Sequence, residues 1–343
     1  MNNRAVVIRE KGCVKVETVP LPSLASDYIR VKIYRAGICG TDIELFKGTM
    51  PYLKSRKIFY PIIPGHEWAG KVVEVGSKVK NFKKGDKVSG ELHLGCGFCG
   101  NCKQGKYNVC LNIQRIGIGD LPGALASYLQ LPEKLAHKLP KTISYKQGSL
   151  IEPTSVALKA VNLLYFSGGE RVIIFGGGPI GFMAVNACRV YGAGEIVLVI
   201  HKYDKYREEI GIKLGADRCI TFKEVSKEIA NTFDIAVEAS GSNKVYSYLF
   251  DLVKPGGQIS LIGIVEHPVE NLDLSKLVTK NITIFGNLGS AGIWENTIRL
   301  IERKSLHPEL IITHEFSLEE AVEVFTNIEK LKKNGLIKAS III

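Results

Sequence analysis

Arg171-Val-Ile-Ile-Phe-Gly-Gly-Gly-Pro-Ile-Gly181 is an apolar run of strand length that passes at once into a glycine-rich turn. A short continuous apolar run of this kind suits a strand buried on both faces of a parallel sheet. Phe182-Met-Ala-Val-Asn-Ala-Cys-Arg-Val190 then reads as a helix, with Pro179 and Ile180 opening its first turn. In that setting Gly176 permits the tight turn, Gly178 lets backbone approach a pyrophosphate, and Gly181 lets helix and strand pack closely. Amides at the helix N-terminus bind the phosphates. The stretch predicts a dinucleotide site on a doubly wound α/β sheet.

Downstream, Glu195–Ile200, Phe233–Gly241, Lys254–Gly263 and Asn281–Gly286 repeat the strand signal between helical runs, as a parallel, doubly wound sheet requires. Ligands bind at the carboxyl ends of such strands. The loops at Gly241, at Gly263 and Ile264, and from Asn287 are therefore expected to line the nicotinamide site. Upstream the style changes. Ala5–Ile8, Val14–Val19 and Ile29–Ile33 read as short strands, the last two alternating, and turn signals recur at Gly76-Ser77, Lys84-Gly85-Asp86 and Ser89-Gly90. This half predicts a β-rich domain with its chemistry on loops.

Two sets of metal-ligating residues lie in that half. Pro64-Gly-His-Glu-Trp-Ala-Gly70, with Gly76 and Val79, completes the pattern GHExxGx5GxxV, and Cys39 precedes it in Cys39-Gly-Thr-Asp42. Cys39, His66 and Glu67 together offer three ligands and leave a fourth position open, which is how a catalytic zinc is held. Taken alone, an isolated His-Glu pair is more often a surface pair, and a free cysteine more often a small buried hydrophobe. The second set is Cys96-x2-Cys99-x2-Cys102-x7-Cys110. Four thiolates at this spacing make a closed tetrahedral site without room for substrate, as a structural zinc needs. Disulfides are the alternative, and a reducing compartment argues against them. Cys13, Cys188 and Cys219 match no ligand spacing and are expected in the core. The histidines at 93, 137, 267, 307 and 314 match no metal motif.

Over essentially the whole chain, these three motifs resemble the zinc-containing alcohol dehydrogenases of the medium-chain dehydrogenase/reductase superfamily. The resemblance implies a GroES-like catalytic domain over residues 1–152, completed by 289–343, and a Rossmann domain over 153–288. It also implies two zinc ions and hydride transfer from a secondary alcohol to the nicotinamide. Thr41 would take the substrate proton. In the family this relay ends at a histidine five residues after the cysteine, where this chain has Glu44. Glu152, in Glu152-Pro153, opens a helical run, where the helix dipole favours a carboxylate in any case. In the sorbitol and glucose dehydrogenase branches the matching glutamate faces the metal, as a ligand or through water.

An acidic residue after Glu195–Ile200 would accept from the ribose of NAD. Aligned on Arg207 and on Lys213-Leu-Gly-Ala-Asp217, which look like the family pattern, that position is Lys202, next to His201. A cation there favours the 2′-phosphate of NADP over NAD, although Asp204 could restore an acidic contact. Glu152-Pro153 and Trp68 resemble polyol, sugar and cyclitol enzymes. The context of the cysteine quartet resembles L-threonine 3-dehydrogenase, a branch that usually has aspartate in place of Glu152. The expected substrate is a polyol or sugar first, L-threonine second and a simple secondary alcohol third. The polyol and threonine branches imply a homotetramer.

Composition excludes other classes. The 343 residues allow two domains, and 45% hydrophobic with 23% charged residues describes a globular protein. The net charge of +11 comes from scattered lysines rather than a basic tract interleaved with aromatics, so no nucleic-acid partner is expected. A zinc-ribbon nucleic-acid binder would also leave the glycine turn and the open metal site unexplained. A cofactor-binding protein without catalysis is the other alternative, because Glu44 stands where the relay histidine would be. The N-terminus lacks a signal-peptide pattern, and the long uncharged stretch Val172–Cys188 is broken by glycines and Pro179, so no membrane span is expected. With thiolate ligands that need a reducing compartment, a cytoplasmic location is expected.

Overall fold

The computed structural model describes residues 2–202, 204–228, 230–265, 267–270 and 272–343. The chain is mixed α/β and divides into two compact units. One comprises Met1–Glu152, Trp294–Glu302 and Ile312–Ile343; the other comprises Pro153–Ile293 and Arg303–Ile311. The segment 289–343 is thus shared between them. Asn186 holds Arg303–Ile311 on the second unit, accepting from His307 N–H at 2.8 Å and donating to the Ser305 carbonyl at 3.4 Å.

The first unit is built on a seven-stranded sheet. In order it runs Ile312–Ser317, Lys338–Ile342, Tyr28–Gly37, Glu67–Val75, Lys87–Gly90 and Ala136–Lys138, with Tyr128–Pro132 also paired to Tyr28–Gly37. Asn2–Glu10 and Cys13–Pro20 form a separate antiparallel hairpin. Ile29, Val31, Ile33, Trp68, Val72 and Val88 supply the centre of one apolar core, to which the C-terminal Phe325 and Ile341 also contribute. The alternation predicted for Ile29–Ile33 holds only in part. Arg30 is buried as well, because its guanidinium pairs with Glu74 and donates to the Pro22 carbonyl at 2.9 Å.

The second unit carries a six-stranded parallel sheet. Its order is Arg218–Thr221, Glu195–Ile200, Arg171–Phe175, Phe233–Glu238, Val253–Leu261 and Thr283–Gly286. The order runs outward in both directions from Arg171–Phe175, which makes the gap beside that strand the topological switch point. Val172–Phe175 and Ile196–Ile200 are buried at every position, as strands covered on both faces must be. Pro179–Val190 forms the helix after the glycine turn, with Gly178 as its N-cap and Pro179 in the first turn. A Cβ at residue 181 would lie 1.8 Å from the Gly176 carbonyl oxygen, so only glycine lets this helix sit so close to its strand.

Of the three cysteines expected in the core, only Cys188 is fully buried, and burial pushes its thiol well above the ordinary range. Cys13 and Cys219 are half-buried, since both sit on strands at the outside of their sheets. Among the described residues no helix is long and apolar enough to cross a membrane.

Candidate active site

Strand pairing brings the distant ligand residues together. Tyr28–Gly37 runs antiparallel to Glu67–Val75 with Gly37 opposite Glu67. Cys39 lies just past the end of one strand and His66 just before the start of the other, so the register alone makes them neighbours. Gly37 is part of this arrangement: a Cβ there would come within 2.1 Å of Glu67 Oε2, so the carboxylate occupies the space a side chain would need. Cys39 is also the N-cap of the helix Gly40–Lys47, and Asp42 in the first turn closes a capping box. The Cys39 N–H donates to Asp42 Oδ2 at 2.8 Å, and the Gly65 N–H donates to Oδ1 at 3.0 Å. One wholly buried carboxylate therefore clamps both ligand-bearing loops. Burial pushes the Asp42 carboxyl up, against the opposing pull of His66 and the two N–H donors.

The ligand atoms of Cys39, His66 and Glu67 all lie within 4.8 Å of one another. A thiolate, an imidazole and a carboxylate at such separations fit one zinc ion, whose bonds to these atoms are about 2.0–2.3 Å. The electrostatics point the same way. Burial alone would lower His66, but the charges of Cys39, Asp42 and Glu152 carry it up to about 10, so the cluster has an excess of negative charge that a dication would balance. Lys338 supplies one counter-charge. Its ammonium is buried, sits 2.6 Å from Glu67 Oε1 and 2.5 Å from Oε2, and donates to the Ile38 carbonyl at 3.0 Å. Burial works against that charge, and Glu67 and Cys39 more than offset it.

Glu152 falls in the first turn of the helix Ile151–Asn162 and is buried. It is not one of the three clustered ligands, but it is close enough to feel them: burial raises its carboxyl to about 7, with His66 opposing and Glu67 adding to the rise. Thr41 is half-buried in the first turn of Gly40–Lys47, and Glu44 is exposed on the same helix. Residues three apart on a helix are neighbours.

Several residues at this site were not legible in the sequence. Asp42 was the most accessible, since an acid three residues after a cap is a capping-box signal. His93 is buried, and burial together with the charges of Arg115 and His66 lowers it to about 3, which leaves a neutral imidazole. Outside the ligand cluster, His137 stacks on Trp294 at 5.0 Å and bridges Glu91 at 3.0 Å and Glu295 at 2.8 Å.

The four sulfurs of Cys96, Cys99, Cys102 and Cys110 form a second cluster, and none of these cysteines is disulfide-bonded. Cys96 and Cys102 sulfurs are 3.9 Å apart, and those of Cys99 and Cys110 are 3.8 Å apart. A tetrahedron of sulfurs about 2.3 Å from one zinc has edges of about 3.8 Å. The backbone N–H groups of Phe98 and Cys99 lower the Cys96 thiol to about 6.

In the second unit, His201 and Lys202 are exposed at the carboxyl end of Glu195–Ile200. Asp204 has other partners: as an N-cap it accepts from the Tyr206 and Arg207 N–H groups at 3.1 and 3.3 Å, and it pairs with the Arg207 guanidinium at 3.2 Å. Arg207 also donates to the Gly177 carbonyl, which ties it to the glycine turn. Gly241 and Gly263 follow adjacent strands, Ile264 is exposed, and the Asn287 side chain donates to the Val156 and Gly289 carbonyls, each at 3.2 Å.

Residues 25–141 match the alcohol dehydrogenase GroES-like domain, and residues 179–303 match the zinc-binding dehydrogenase domain. L-threonine 3-dehydrogenase of Shewanella baltica (strain OS185) is 34% identical over 325 residues, covering 92% of this chain and 93% of that protein. Sorbitol dehydrogenase of Bacillus subtilis (strain 168) is 29% identical over 342 residues, covering 98% and 96%. A structure from Sinorhizobium meliloti 1021, assigned to the zinc-binding dehydrogenases and bound to NADP, superposes with a TM-score of 0.91 at 27% identity over 100% of both chains. The chain belongs to the zinc-dependent medium-chain dehydrogenases: it is an oxidoreductase with a GroES-like and a Rossmann domain, acting on a small molecule.

Proposed function

We propose that the chain transfers hydride between the secondary hydroxyl of a polyol, sugar or cyclitol and NADP. Cys39, His66 and Glu67 would hold the catalytic zinc, with Glu152 beside it, and Cys96, Cys99, Cys102 and Cys110 the structural one. When bound, the catalytic zinc supplies Lewis-acid polarisation of the substrate hydroxyl, and the nicotinamide supplies the hydride acceptor. Asp42 fixes the loops that carry Cys39 and His66, and Lys338 holds Glu67 in one orientation. Thr41 takes the proton of the substrate hydroxyl as it gives up its own, and Glu44, three residues on, receives that proton and releases it to solvent.

The observation that carries the substrate reading is Glu152. Glu152 is a buried carboxylate in the first turn of the helix Ile151–Asn162, and in the sorbitol and glucose branches that the sequence resembles the matching glutamate faces the metal, which suits a polyhydroxylated substrate. The buried cation beside the cluster, Lys338, is already committed to Glu67 and is poorly placed to take a substrate carboxylate. L-threonine remains the second reading, supported by relatives of that name at 34% identity. A rate panel with the zinc-loaded protein separates the two, using sorbitol, xylitol, glucose, galactitol, inositols, 2,3-butanediol and L-threonine with each cofactor. The expected result is a polyol or sugar turning over faster with NADP; L-threonine turning over with NAD would overturn both parts.

The NADP reading rests on Lys202, exposed where an NAD enzyme places its acid, and on the commitment of Asp204 to its cap and to Arg207. Lys202→Asp is expected to lower kcat/KM for NADP roughly ten- to a hundredfold while improving NAD, since charge-assisted hydrogen bonds are worth about 1.5–3 kcal/mol. Equal use of NADP by the variant would remove Lys202 from the site. A homotetramer in the cytoplasm completes the reading, supported by the family resemblance and by eight free cysteines that suit a reducing compartment.

A further inference from the structure

Glu238 ends the strand Phe233–Glu238, the neighbour of Arg171–Phe175 at the switch point of the parallel sheet. Its carboxylate is wholly buried. Oε1 accepts three hydrogen bonds, from the Ser240 N–H at 2.7 Å, the Ser240 hydroxyl at 2.5 Å and the Gly241 N–H at 2.9 Å. Its main-chain oxygen accepts two more, from Ile262 at 2.8 Å and Gly263 at 3.0 Å. Oε2 is buried without a hydrogen-bond partner and lies where a Cβ on residue 263 would come within 2.3 Å of it. One residue thus fastens the turns that follow two adjacent strands.

The same turn packs on the glycine turn. A Cβ at residue 176 would come within 2.9 Å of Ala239, and the Ala239 N–H donates to the Phe175 carbonyl at 2.9 Å. Leaving one oxygen of a buried carboxylate unpaired is costly, and stability does not require it, because a neutral side chain could fill this space. What a charged acceptor adds is three strong bonds converging on one oxygen, which hold the turn at residues 240–241 in a single geometry. Ligands of open α/β sheets bind outside the carboxyl ends of the strands at this point.

We propose that Glu238 is a positioning residue for the nicotinamide half of the dinucleotide. It does not touch the cofactor. It holds the Ser240–Gly241 and Ile262–Gly263 turns in the shape against which the nicotinamide ribose and ring lie. The adenosine end rests at His201, Lys202 and Arg207, past the strand Glu195–Ile200, which the strand Arg171–Phe175 separates from the Glu238 strand. This inference rests on the dinucleotide site assigned above.

The test is equilibrium binding to the full-length, zinc-loaded protein, without turnover. Two ligands are compared: the dinucleotide that the wild type prefers, and the same molecule lacking the nicotinamide ring and its ribose (ADP or its 2′-phosphate). Glu238→Gln keeps the shape and turns three charge-assisted bonds into neutral ones. It is expected to weaken the dinucleotide roughly tenfold and leave the truncated ligand and the Tm unchanged. Ser240→Ala, which removes one of the three donors, should shift in the same direction by less, and Glu238→Asp should recover less than half of the loss. Equal weakening of both ligands, or a lowered Tm with it, would make Glu238 a purely structural residue and overturn the proposal. Unchanged dinucleotide binding in Glu238→Gln would overturn it as well. A wild-type protein that binds neither ligand would instead sink the dinucleotide site itself.

Discussion

Cys39→Ala is expected to lower kcat/KM by roughly four orders of magnitude, the cost of losing a Lewis acid worth several kcal/mol at the reacting oxygen. The three ligand atoms lie within 4.8 Å of one another, close enough for one zinc ion. Removing the thiolate leaves a histidine and a glutamate, one of which is already held by the Lys338 ammonium at 2.6 Å. Two ligands do not retain a catalytic zinc, so metal content should fall from two ions per chain to one. The variant should still fold, because Cys39 is only half-buried and its capping function lies mainly in its backbone N–H, bonded to Asp42 at 2.8 Å. Dinucleotide binding should be preserved, since the glycine turn belongs to the other compact unit. Metal analysis, cofactor titration and steady-state rates on one preparation check all three statements. Full activity, or two zinc ions per chain, would remove Cys39 from the catalytic site.

The motifs legible in the sequence were those whose function depends on local spacing. The glycine turn must fall between one strand and one helix, and the strand Arg171–Phe175 and the helix Pro179–Val190 bracket it as expected. The cysteine quartet is closed within fifteen residues of chain, so its pattern carries its own geometry. The first-unit cluster was legible because a known pattern links His66 and Glu67 to Cys39, and strand register then joins them. Lys338 was beyond reach. It meets Glu67 only because the C-terminal strand pairs with Tyr28–Gly37, and a lysine in an apolar strand gives no sign of which carboxylate it will neutralise. Glu238 was hidden for a similar reason: its role comes from two turns that topology sets side by side. Arg30 shows the opposite failure, in which alternation predicts exposure and an ion pair with the exposed Glu74 overrides it.

Cys102→Ser should give the complementary phenotype, losing stability before activity. The lobe from Gly95 to Leu111 contains only the short helices Gly100–Lys103 and Tyr107–Val109, and its neck is closed by the two-residue strands His93–Leu94 and Gln114–Arg115. Its larger apolar side chains cannot form a core, since Phe98 is 69% exposed and Leu111 95% exposed. Four thiolates are then what holds the loop, and sulfurs 3.8 and 3.9 Å apart match the edges of a zinc-centred tetrahedron rather than the roughly 2.05 Å of a disulfide. Structural zinc binding contributes folding free energy directly. Replacing one thiolate is expected to remove one zinc per chain, lower Tm by roughly 10 °C and expose the lobe to proteolysis between Gly97 and Val109. Turnover at 25 °C should stay within about threefold of wild type, because the quartet has no open position for substrate. The Tyr107 hydroxyl ties the lobe to the rest of the unit by donating to Glu91. Thermal melts, metal analysis and limited proteolysis distinguish this from Cys39→Ala, in which activity disappears and the fold remains. A Cys102→Ser protein with unchanged Tm and two zinc ions would show that the lobe is held by something other than its thiolates.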